Sequence, residues 1–70
     1  MSSSSEHLVK MINQIADNAP RKATPEESAD AIAAHLRKFW AKPMKQTIRQ
    51  YAEAGGDGLN ELAMSAAKRL

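Results

Sequence analysis

The chain of 70 residues has no cysteine, which excludes a disulfide framework and any thiolate metal site. Glycine and proline occur three times each, too rarely for long irregular or low-complexity segments. The aromatics are one Trp, one Tyr and one Phe, so each must be placed with care in any account of the core. No apolar run approaches the ~18 residues of a membrane span. Residues 1–18 have neither the basic start nor the continuous apolar core of a secretory signal, and a cytoplasmic location is expected. The net charge is only +2, so bulk electrostatics do not point to nucleic acid. Strand-like alternation of useful length is absent as well.

What is present is helical. Hydrophobic residues make up 43% of the chain, and they recur at spacings of three and four. A single domain over residues 1–70 is expected, with a frayed polar start at residues 1–4. So short a chain buries only about 60% of its unfolded surface, and without a covalent staple a binding partner is one available source of extra stability.

Ser3 followed by Glu6 fits a capping box, Glu6 and Lys10 form a favourable i,i+4 pair, and Leu8, Met11, Ile12, Ile15 and Ala19 share a face. This predicts a first helix over about 4–18, stopped by Pro20. Thr24, Pro25, Glu26 and Glu27 supply an N-cap, a proline at the first helical position and two acids at the positive end of the dipole. A second helix over 25–41 follows, with Ala29, Ala33, Leu36 and Trp40 in its stripe. Pro43 makes a corner by restricting Lys42 toward extended geometry, and it opens a third helix over 43–54 that buries Met44, Ile48, Tyr51 and Ala52. Gly55 is a natural residue just past that helix end, Gly56 follows it, and Asp57 and Gly58 make a turn in which Asp57 can cap what comes next. Leu59, Leu62, Ala63, Ala66 and Leu70 predict a last helix over 59–69, placed on helix 2 or 3 or swung outward. The fold class is all-α, a small bundle of about four helices, with the Leu8, Ile12, Ile15 side of helix 1 expected against Leu36 and Trp40.

Chemistry finds little to work with. His7 and His35 have Met11 and Phe39 at their i+4 positions, which gives neither a helical metal partner. Glu26, Glu27 and Asp30 gather at a helix start, where capping and solvation account for them. The glycines of AGGDGL lack the strand and the spacing of a phosphate loop. No residues suggest a nucleophile with an oriented base, and catalysis is not expected of this chain. The distinctive feature is a surface: between Asp30 and Glu53 there is no acidic residue, while Arg37, Lys38, Lys42, Lys45 and Arg49 fall in that interval. Beside them stand Phe39 and Trp40, the second serving either as a plug for the core or as a docking anchor. Three readings stand: a protein-interaction module, a small basic module for nucleic acid or regulation, and a free-standing homodimeric bundle. A solvated face and an acidic protein surface both fit the cations better than nucleic acid does.

Three stretches, HLVKMINQIADN, AAHLRKFWAKPMKQTI and AGGDGLNELAMSAAKRL, taken in this order, resemble the delta subunit of NAD-dependent, molybdenum- or tungsten-containing formate dehydrogenase. His35, Leu36, Phe39, Trp40, Pro43 and Met44 carry most of the likeness, with Gly55, Gly56, Gly58 and Leu59 as a second landmark. Such subunits usually have an acidic residue after Phe-Trp, where this chain has Ala41. The resemblance implies an accessory subunit that holds no cofactor itself. Its complex would carry a bis-molybdopterin guanine dinucleotide metal centre in the alpha subunit, with iron-sulfur clusters, FMN and NAD in the electron path. It also implies docking on the large subunits, most directly alpha; the surface expected to serve is His35, Arg37, Lys38, Phe39, Trp40, Lys42, Pro43, Met44, Lys45 and Arg49 with the turn Gly55, Gly56, Gly58, Leu59. A permanent subunit and a separate maturation partner both fit.

Overall fold

The computed structural model describes residues 3–70, with side chains from residue 5 onward. Four helices form: α1 (Ser3–Asn18), α2 (Pro25–Phe39), α3 (Lys42–Glu53) and α4 (Glu61–Lys68). Ser3 and Ser4, expected in a frayed start, already belong to α1; residues 1–2, and the Ser3 side chain of the expected Ser3–Glu6 capping box, lie outside what is described.

The start of α2 follows its sequence signals. Thr24 is extended (φ −130°, ψ 155°), and its hydroxyl accepts the Glu27 amide at 3.1 Å. Ser28, one turn in, is buried, and its hydroxyl accepts the Lys22 amide at 2.9 Å, which ties the linker to the helix. The far end of α2 departs from expectation. The helix stops at Phe39, because Trp40 turns extended (φ −88°, ψ 141°) once its amide has reached the Leu36 carbonyl at 2.8 Å. Ala41 is extended too (φ −64°, ψ 151°), so the corner expected at Lys42 falls on Trp40 and Ala41, and α3 begins at Lys42.

Beyond Glu53 the chain closes α3 with a Schellman pair. The Gly55 amide reaches the Ala52 carbonyl at 3.2 Å and the Gly56 amide reaches Tyr51 at 2.9 Å, an arrangement that needs positive φ just past the helix. Gly56 (φ +60°) is buried against Met64 and Leu59. The last helix starts two residues later than its apolar pattern suggested. Asn60 is the cap: its side-chain oxygen accepts the Ala63 amide at 2.7 Å. Asp57, the expected cap, instead offers its carbonyl to the Tyr51 hydroxyl.

The core gathers Leu8, Ile12, Leu36, Trp40 and Ile48 with Ala63, Ala66 and Ala67, the last three wholly buried. These alanines leave so little bulk on α4 that its axis can approach several neighbours closely. It packs against α1, α2 and α3, most extensively α2. The helix that sequence left free to swing out is therefore the centre of the bundle. Helix α1 lies on α3 and α4 and hardly meets α2. Leu8 and Ile12 enter the common core as expected, but Ile15 borders an open cleft facing Ile32.

Candidate interaction surface

The two adjacent aromatics at the end of α2 part company. Trp40 retains 8% of its exposure, whereas Phe39 retains 65% and is the one exposed large hydrophobic side chain among the described residues. The cause is the break in helix at Trp40. Extended geometry there turns the indole into the core, while Phe39, still helical, keeps the outward direction of its row. Little of the indole is left for a partner, and the aromatic presented outward is Phe39.

Phe39 continues a row of residues one turn apart, Ala31, His35 and Phe39. The His35 and Phe39 rings lie 4.7 Å apart between centroids, and the Lys38 ammonium stands 5.6 Å from the Phe39 centroid. Ala31, Ile32 and His35 form one wall of the cleft between α1 and α2, and Ile15, Asn18 and Ala19 form the other, around a space of about 370 Å³. The cleft exists because α1 turns its apolar side mainly toward α3 and α4.

A second concavity lies at the junction of α2, α3 and the end of α4. Arg37, Lys42, Lys45, Arg49, Gln46 and Leu70 line a hollow of about 260 Å³. Arg37 donates through Nη2 to the Arg69 carbonyl at 2.6 Å, and Lys45 donates through Nζ to the Arg37 carbonyl at 3.1 Å. Each cation thereby meets a carbonyl at the C-terminal end of a helix, where the dipole favours positive charge. Arg49 Nε contacts Glu53 Oε2 at 3.3 Å, with both side chains about half exposed. Pro43 is exposed, and Met44 is half-buried against the core.

The Gly55–Leu59 turn is not part of either concavity. It is held to α1 by Asn13, whose amide group donates to the Gly58 carbonyl at 2.8 Å and whose oxygen accepts the Asn60 amide at 2.9 Å. Asn60 Nδ2 also reaches Asp17 Oδ1 at 3.2 Å. Sequence reading missed this clasp, although an Asn preceding Glu61 and Leu62 is itself a capping signal. The Arg69–Asp30 ion pair at 3.1 Å between α4 and α2 was missed too.

No group of three or more His, Asp or Glu side chains among the described residues could hold a metal ion. No described helix is long and apolar enough to cross a membrane. A family model described as "NADH-dependant formate dehydrogenase delta subunit FdsD" matches residues 7–67. No curated protein and no solved structure matches the chain.

Proposed function

Because the chain belongs to the delta-subunit family of NADH-dependent formate dehydrogenase, we propose that it is a non-catalytic accessory subunit that docks on the large subunits of such a complex and stabilises their assembly. The observation that carries this reading is the family match, which spans residues 7–67 and so takes in all of α2, α3 and the Gly55–Leu59 turn. The surface chemistry supports it: an exposed Phe39 beside an apolar cleft suits docking better than turnover. The alpha subunit is the proposed docking partner, and the cytoplasm the proposed compartment.

On this reading the molybdenum or tungsten centre, the iron-sulfur clusters, FMN and the reduction of NAD belong to the large subunits. The present chain has no cysteine with which to ligate a cluster. Its contribution is binding free energy: whatever binds only the assembled state shifts the equilibrium toward assembly by mass action.

The test is to prepare the complex with and without the chain. Native mass spectrometry should recover the chain in a fixed ratio to the alpha subunit, and formate-dependent NAD reduction should decay faster on dilution when it is omitted. A complex of equal activity and lifetime that never takes up the added chain would refute the proposal.

A further inference from the structure

We infer that the hollow lined by Arg37, Lys42, Lys45 and Arg49 receives a carboxylate-bearing segment of a protein partner, an assignment that rests on the accessory-subunit reading and locates one of its contacts. Four cations and Leu70 surround one space, and among the described residues the side-chain carboxylate ion-paired with these cations is that of Glu53, which meets Arg49. The Lys42 ammonium has no hydrogen-bond or ion-pair partner among the described residues.

Local structure accounts for this gathering only in part: helix C-termini receive Arg37 and Lys45, and Glu53 meets Arg49, but nothing local compensates Lys42. Lys42 and Lys45 stand in the first turn of α3, which has no acidic residue, and there the dipole disfavours cations. Lys45 and Arg49 are also a like-charge i,i+4 pair. The contacts made by Arg37 and Lys45 hold the two cations in place without exhausting them. Arg37 commits one donor of its guanidinium to the Arg69 carbonyl, and Lys45 commits one to the Arg37 carbonyl. Four N–H donors of Arg37 and two ammonium hydrogens of Lys45 remain for an incoming carboxylate.

The hollow suits a carboxylate better than a nucleic acid backbone. At about 260 Å³ it is a local depression with no aromatic side chain in its lining, whereas strand binding uses an extended basic groove and stacking platforms. Phe39, the exposed aromatic, belongs to the other side of α2, in the row of Ala31 and His35.

The experiment titrates the full chain into the delta-free formate dehydrogenase complex at roughly 50 mM and roughly 500 mM salt, which bracket weak and strong screening. Three variants accompany it: Lys42→Glu with Lys45→Glu, the milder Lys42→Gln with Lys45→Gln, and a control, Lys10→Glu with Lys68→Glu, carrying the same charge change elsewhere. Circular dichroism selects a temperature at which all are folded. The reversal pair should weaken binding at least about tenfold at low salt, with the deficit shrinking at high salt, while the control stays within about twofold of wild type. The glutamine pair should fall between. If wild type binds and both hollow variants match its affinity and salt slope, the hollow is solvated surface and the inference is overturned. Failure of the wild-type chain to bind would instead overturn the accessory-subunit reading, and the inference with it. Tight, salt-steep binding of a random single-stranded RNA, lost in the hollow variants while their complex binding is intact, would reassign the hollow to nucleic acid and overturn the inference.

Discussion

At the start of α2 the Thr24 hydroxyl, Pro25 at the first helical position and the acids Glu26 and Glu27 meet the free amides and the positive dipole end. Helix α3 starts from Ala41 with no side-chain cap and carries Lys42 and Lys45 in its first turn. Both helices form, so the second, with Pro43 as its one local signal, must draw the rest of its stability from elsewhere. Its support is tertiary: Trp40 is sunk in the core just before it, and Lys45 is bonded back to the end of α2. One start is written in its own four or five residues. The other is held by the body it adjoins, and its uncompensated charge faces outward.

The strongest way to break this comparison is Trp40→Ala. Removing a buried Trp should cost about 3–5 kcal/mol of stability, read from chemical denaturation followed by circular dichroism. Native-state amide exchange should rise most in the first turns of α3. A loss no larger than that of a cap substitution would mean that α3 does not depend on the indole.

Thr24→Ala comes next, at about 1 kcal/mol, with faster exchange confined to the amides near Glu27. Spread of that effect into α3 would show that the two starts are coupled rather than independent.

Ala41→Asp should act in the opposite sense. Supplying the missing cap is expected to stabilise the domain by about 0.5–1 kcal/mol, raising Tm by several degrees in a thermal scan. The same carboxylate would compete for Lys42 and Lys45, so binding to the delta-free complex should weaken while stability rises. Stabilisation with unchanged or improved binding would separate the cap from the basic hollow. The smallest effect on folding belongs to Phe39→Ala, within about 0.5 kcal/mol for an exposed position; a loss of complex affinity at unchanged stability would mark Phe39 as a docking residue.

Much of this fold could be read from residue spacing, because caps and periodicity are local. The Thr24–Pro25 start, the stop before Pro20 and the Gly55 termination lie where local chemistry puts them. The errors arose where a distant contact decides. Periodicity says that Leu8, Ile12 and Ile15 share a face, but not that α1 lies on α3 and α4 rather than on α2. Alanines give little hydrophobic signal, although Ala63, Ala66 and Ala67 are the residues that let α4 occupy the centre. Asn13 and Asn60 are 47 positions apart, and nothing in either neighbourhood announces the other. In the candidate surface the run of cations was visible as composition. Which of them share a hollow depends on the break at Trp40, and so does the parting of a buried Trp40 from an exposed Phe39.

The central place of α4 also bears on how the protein comes into being. Residues 61–68 touch all three preceding helices, so a nascent chain that has released only α1 to α3 leaves on each of them an apolar strip open to water. The domain can therefore close as a unit only once those eight residues have emerged from the ribosome. Until then a half-made chain exposes apolar surface of the kind chaperones bind, and surfaces that depend on the packed corner at Trp40 arise only after that closure.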